Sequence, residues 1–363
     1  MKYGSAWWLL SALTLGCASL VPLESDAGGS CVDEGDRCTC EDGSKGQLAC
    51  EDEALVCRCA PVPDDKGPDA GRLDAGRAGR LDAGRVRDAA EPPSAAPEAG
   101  LSPMDEPVDP SAPRTPALPE QCPEIKTGTV EVLGQRVALW VGEKRPGKRG
   151  PMVFYWHGSG SNEVEAKTAF GDGNAEILEE GGVVASFTSS TAKGTNTGSD
   201  LWYTGDFEMA DHLLACAISQ QDVDPRRVYT GGCGAGGLQA SAMVYARSSY
   251  LAAAMPNSGG TAFPYQLQDP AHVPAFIGAH GAPGSDVVVL DFAQTTASQV
   301  KDLTSKGAFA VVCEHAGGNC ASSPDIKNAQ WRFLKDHPFK VDPEPYAEGL
   351  PSDFPSVCKI VKQ

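Results

Sequence analysis

The stretch RRVYTGGCGAGGLQASAM, from Arg226 to Met243, limits what this chain can fold into more than any other. Val228, Tyr229 and Thr230 are residue types that suit a short β-strand. Gly231 and Gly232 supply a tight turn, and Leu238 to Tyr250 reads as a helix rich in Ala, Met and Ser. The absence of a polar face marks that helix as buried. A strand running through crowded glycines into a buried helix requires backbone conformations and close approaches that residues with a Cβ adopt only under strain. The rest of the chain has to supply a sheet for that strand and helix to pack against.

The segment from about Cys122 to Cys358 does so. Thr129 to Leu133 and Arg136 to Val141 alternate around Gly134 as a hairpin. Pro151 to Trp156 and Gly182 to Phe187 are continuous apolar runs of the kind found in central parallel strands. Phe207 to Gln220 places Phe207, Ala210, Leu213, Leu214 and Ala217 at helical spacing. After the Arg226–Met243 stretch come a strand at Val273 to Ile277, a helix near Asp291 to Ser305, a strand at Phe309 to Cys313 and a helix from Asp325 to His337. Alternating strands and helices predict a mostly parallel sheet with helices on both faces, in which ligands bind beyond the C-terminal strand ends.

Three further segments precede this domain. Residues 1–17 have Lys2, an apolar run from Ala6 to Leu15 and then Gly16-Cys17, the layout of an export signal of the lipoprotein type, with Cys17 as the lipidated residue. The run is too short to span a bilayer, which takes about 20 apolar residues. Residues 18–60 contain a repeat, C-x6-C-x-C, at Cys31, Cys38, Cys40 and again at Cys50, Cys57, Cys59. A segment so small cannot enclose a core, so disulfides are expected to hold it. Residues 61–120 are low-complexity, with DAGRLDAGRAGRLDAGR followed by proline-rich text, and predict a disordered tether. The formal net charge of −18 disfavours nucleic acid and anionic lipid as partners. The expectation is an exported, envelope-anchored monomer that touches the membrane only through its lipid.

The domain resembles the secreted α/β-hydrolase-fold esterases known as polyhydroxybutyrate depolymerases and feruloyl esterases, over roughly residues 122–340. Gly232-Cys233-Gly234-Ala235-Gly236 stands where that family has its nucleophile elbow, G-x-S-x-G. Trp156-His157-Gly158-Ser159-Gly160 is similar to the loop that lends an amide to the oxyanion hole, which implies donors at Ser159 or its neighbour and at Ala235. Asp224 to Tyr229 looks like the approach to the elbow, and Asn257-Ser258-Gly259-Gly260 like the segment after the next strand. His280-Gly281 followed by Asp286 is similar to the turn carrying the acidic triad member. Cys313-Glu314-His315-Ala316-Gly317-Gly318-Asn319 occupies the place of the loop ending in the catalytic histidine, which the resemblance aligns with Asn319.

Two positions depart from the family. Ester hydrolysis needs a hydroxyl to attack, an imidazole to take its proton and a carboxylate to fix the imidazole tautomer. Gly234 cannot attack, and the Asn319 amide has no basic nitrogen; only Asp286 keeps its chemistry. The reading is therefore a surface-anchored, catalytically degenerate esterase relative binding an ester, a polyester or a polysaccharide-linked ligand, with no cofactor and no metal site. One alternative is an active ester hydrolase with the turn slid by one residue, using Cys233 as nucleophile, His315 as base and Asp286 as orienter. Another is a surface lipoprotein that binds nothing. His157 and His280 are expected to be structural. The six cysteines past the tether are expected to pair as Cys122–Cys358, Cys313–Cys320 and Cys216–Cys233, which would leave no free thiol for the alternative.

Overall fold

The computed structural model describes residues 111–362 and, ahead of them, the backbone of three short strands. These strands, β1 (Arg37–Thr39), β2 (Lys45–Glu51) and β3 (Ala54–Arg58), form an antiparallel sheet in the order β1-β2-β3. The expected export signal with Cys17, and the greater part of the expected tether, lie outside the described residues.

Residues 111–362 hold a nine-stranded sheet. Its strands are β4 (Gly128–Val132), β5 (Gln135–Val141), β6 (Met152–Trp156), β7 (Val183–Phe187), β8 (Val228–Cys233), β9 (Ala253–Asn257), β10 (Ala275–Gly281), β11 (Ala310–His315) and β12 (Cys358–Ile360). Their order is β12-β11-β10-β9-β8-β6-β7-β5-β4. The run from β7 to β11 is parallel, while β4, β5 and β12 are antiparallel to their neighbours. The helices are α1 (Gly173–Glu179), α2 (Phe207–Gln221), α3 (Ala235–Ala246), α4 (Phe292–Ser305) and α5 (Pro324–Asp336). This is the α/β-hydrolase arrangement.

Burial explains why the apolar runs form the centre. Every residue of β6, β7, β8 and β9 is buried, as befits strands covered on both faces. Strand alternation sends Phe154 and Trp156 into one core with α2, α3 and α4, and Val153 and Tyr155 into the other with α1 and α5. Helix α3 is buried from Ala235 to Tyr245, in keeping with its lack of a polar face.

The elements stand close to where the residues placed them, with three differences. Gly231 and Gly232, read as a turn, lie within strand β8 instead; the turn falls at Gly234, and helix α3 runs from Ala235, three residues before Leu238, to Ala246, with Gly236 and Gly237 in its first turn. Helix α1 and strand β12 were not anticipated; each is short, and three residues of β12 carry no periodicity to read. The disulfides are also repartnered. All six cysteines past the tether are bonded, but as Cys122–Cys216, Cys233–Cys320 and Cys313–Cys358. Cys313 and Cys358 are direct cross-strand partners of β11 and β12, with Cα atoms 3.8 Å apart. That register places Cys358 against Cys313, whereas sequence spacing had suggested that it joined the domain's ends.

Among the described residues ahead of β4, Ser111 and Arg114 make contacts with the sheet's flank. Arg226 donates to the Ser111 carbonyl, the Arg114 amide donates to the Ser249 carbonyl at 2.8 Å, and the Arg114 guanidinium pairs with Asp269. Arg226, Ser249 and Asp269 precede β8, β9 and β10, so these contacts lie at the N-terminal ends of the parallel strands.

Candidate active site

Strand β8 ends at Cys233, and Gly234 turns the chain into α3 with φ 55° and ψ −115°. A side chain is strained in that conformation, which in an elbow aims it out above the sheet. The Gly234 amide donates to the Asn257 carbonyl at the end of β9 (3.1 Å). The glycines on either side serve packing. A Cβ on Gly236 would overlap the Trp156 carbonyl, and one on Gly237 the Asn257 carbonyl. Helix α3 therefore rests on the ends of β6 and β9 backbone to backbone.

The loop after β11 reaches the same point. A Cβ at Gly234 would lie 3.5 Å from Asn319 Oδ1, 3.6 Å from Asn319 Nδ2 and 3.4 Å from Cys320 Sγ. Positions 234 and 319 are thus neighbours, as an attacker and its base would have to be. Cys233 and Cys320, which flank them, are joined covalently with Cα atoms 5.5 Å apart. In that state Cys233 has no thiol with which to attack.

Asp286 lies behind this loop, fully buried. Its Oδ2 accepts from Ser258 Oγ (2.7 Å) and from the Gly281 amide (3.0 Å). Ser258 Oγ in turn accepts from the Cys320 amide (2.8 Å), so one hydroxyl links the carboxylate to the loop that carries Asn319. Among the described residues, Asp286 Oδ1 has no partner. A buried carboxylate oxygen without a donor is costly, and in a triad this carboxylate would orient an imidazole N–H.

His315 is turned to another use. Its Nδ1 accepts from the Gly317 amide (3.2 Å), and its Nε2 is buried without a partner among the described residues. Burial pulls the imidazole below its ordinary pKa, with the Asp286 charge opposing the shift. No hydrogen bond or ion pair joins His315 to Asp286, and neither lines the cavity described next. His157 and His280 bond through Nδ1 to the carbonyls of Gly158 (2.9 Å) and Gly281 (2.7 Å).

A cavity of about 520 Å³ opens over the elbow. Ser159, Cys233, Gly234, Ala235, Asn319 and Cys320 line it, with Tyr155, Glu165, Phe292, Val288 and Lys327 around them. Ala235 opens α3, where backbone N–H groups have no intrahelical acceptor. On the facing loop, the Gly158 amide donates to Glu165 Oε2 (3.3 Å), and the Tyr155 hydroxyl donates to Glu165 Oε1 (2.6 Å). Burial, and then the carboxylate beside it, hold the Tyr155 phenol well above its usual pKa. Glu165 thus engages an amide beside the expected donor Ser159 and brings negative charge to the wall where an oxyanion would form. Neither Glu165 nor Ser258 was marked as functional from the sequence. Ser258 lay inside a recognised segment, Asn257-Ser258-Gly259-Gly260, whereas nothing around Glu165 sets it apart.

No family model and no curated protein sequence matches the chain. Solved structures do. Native pOPH is 16% identical over 67% of this chain and 96% of its own, with a TM-score of 0.52. Native sOPH is 18% identical over 67% of this chain and 97% of its own, also at 0.52. A complex of a pOPH variant with DMSO is 15% identical over 68% and 96%, at 0.53. At such identities the likeness establishes a shared fold.

Proposed function

We propose that this chain is a silent esterase: a relative of the polyhydroxybutyrate depolymerases and feruloyl esterases in which hydrolysis has been lost and the cleft binds an ester-bearing ligand without cutting it. The observation that carries the reading is that a side chain at one substituted position would meet the other. Space for a side chain at Gly234 faces the Asn319 amide at 3.5–3.6 Å, and the Asp286 carboxylate behind them keeps one oxygen unpartnered. A scaffold shaped for attacker, base and orienter, lacking the first two, supports loss of the reaction rather than a fold that never had it. The cleft remains open and lined by both polar and apolar groups, as a binding site requires.

In this proposal the domain is exported, lipidated at Cys17 and tethered to the envelope through the low-complexity residues ahead of Ser111, with the cysteine repeat of residues 18–60 between anchor and tether. Mass spectrometry of the mature N-terminus should find diacylglycerol on Cys17; an unmodified N-terminus further downstream overturns the anchoring.

The decisive experiment restores both positions, Gly234→Ser with Asn319→His, and measures turnover of p-nitrophenyl butyrate. The unaltered protein should match an Asp286→Ala control. The pair should exceed either single change by about 10²-fold or more, because attacker and base act as a unit. Failure of the pair to gain over the singles overturns the proposal. So does turnover in the unaltered protein that disappears on Cys233→Ala and on His315→Ala.

A further inference from the structure

The disulfide in the cleft differs from the other two disulfides of the domain. Cys233 and Cys320 both line the cavity, whereas Cys122–Cys216 and Cys313–Cys358 do not. Cys216 and Cys313 are fully buried. Within the cleft pair the two sulfurs are unequal. Cys320 is half-buried on the loop after β11, and Cys233 is 5% exposed at the end of β8.

Two features of the elbow bear on this bond. A Cβ at residue 234 would stand in contact with Cys320 Sγ at 3.4 Å and cover part of it, so the glycine leaves that sulfur facing the cavity. Cys233 sits one residue before the N-cap of the 12-residue helix α3. A thiolate there is favoured by the positive end of the helix and its unpaired amides, which makes it a good leaving group.

We propose that Cys233–Cys320 is an exchange-active disulfide whose substrate is a low-molecular-weight thiol entering the cleft. The incoming thiol loses its proton to solvent, and its sulfur attacks Cys320 Sγ. The bond between Cys320 and Cys233 breaks, a mixed disulfide forms on Cys320, and Cys233 leaves as a thiolate. A second thiolate attacks the small-molecule sulfur of that mixed disulfide. It departs as a small-molecule disulfide, and Cys320 is released as a thiolate. Two thiols are thereby oxidised to one disulfide, and the protein disulfide is reduced to two cysteines. This chemistry uses neither a base at position 319 nor an attacker at 234, so it stands apart from whether the cleft ever cut esters.

The test treats the full-length protein with reduced glutathione, alkylates free thiols at intervals and maps the peptides without reduction. The expected result is glutathione on Cys320 and alkylation on Cys233, at a rate at least about ten-fold above the opening of Cys122–Cys216 or Cys313–Cys358. Opening of Cys233–Cys320 no faster than the other two overturns the proposal. Gly234→Ala should slow attack on Cys320 by about ten-fold by covering its sulfur, with the Cys313–Cys358 rate as an internal measure of folding. An unchanged rate at Cys320 in a folded variant also overturns it. If that variant does not fold, the comparison of the three disulfides in the unaltered protein decides the matter.

Discussion

Two sets of glycines meet at the elbow, and they differ in what holds them there. Gly232, Gly236 and Gly237 have no room for a side chain: a Cβ on any of them would run into backbone of β6, β9 or α3. Gly234, between them, has room, since its nearest neighbours would lie at ordinary contact distance. The first set is required by the fold, because it lets α3 approach the sheet. At Gly234 the fold provides space for a side chain, and the sequence leaves it empty. Within six residues the chain thus holds glycines that packing requires and one that packing does not require.

That contrast is open to measurement. Gly236→Ala should be the most damaging change, costing about 3 kcal/mol or more or preventing folding, because its Cβ meets a backbone carbonyl that cannot move aside. Denaturant unfolding compared with Gly234→Ala checks it; equal costs would erase the distinction between the two sets. Removing a staple of the scaffold should come next. Cys313→Ser with Cys358→Ser closes no loop between β11 and β12, and should cost about 2–4 kcal/mol while leaving cleft binding unaltered.

The sheet edge opposite the cleft should govern part of the acid response. His272 there is buried, bonds through Nε2 to the Leu251 carbonyl (2.9 Å) and packs at a tilt against the Phe339 ring; burial lowers its pKa to about 4. A base with a depressed folded pKa takes up its proton more readily when unfolded. Its stabilising effect is therefore present near neutrality and is lost as pH falls from about 6.5 towards 4. Between pH 7 and pH 5 the protein should lose about 2 kcal/mol through this residue, and His272→Gln should flatten the urea midpoint over that interval. The smallest effect is expected at the cleft itself. Gly234→Ser should cost only about 1–2 kcal/mol, the strain of a side chain at φ 55°, as read by thermal unfolding.

The sequence made much of this legible, for local reasons. Strand β8 and helix α3 were readable because uninterrupted apolar character is a local property, whereas the turn falls at Gly234 and not at Gly231-Gly232, which extend the strand. Gly234, Asp286 and Asn319 could be assigned to one site only through resemblance to a family, since 85 residues separate the first from the last. Glu165 was invisible because its effect depends on which amide it meets across a loop. The disulfide partners were misassigned because sequence spacing does not tell which cysteines end up facing one another.

By itself the sequence determined that strands and helices alternate, that the sheet's centre is apolar on both faces, and that no serine stands in the elbow and no histidine at the end of the β11 loop. These follow from side-chain identity and short-range periodicity. Only the tertiary structure decided that a side chain at position 234 would meet Asn319, that Asp286 keeps an oxygen without a donor, that His315 turns to its own loop, and that Cys233 is tied to Cys320. Each of these depends on how strand ends converge at one edge of a twisted parallel sheet, which brings together residues far apart in the chain.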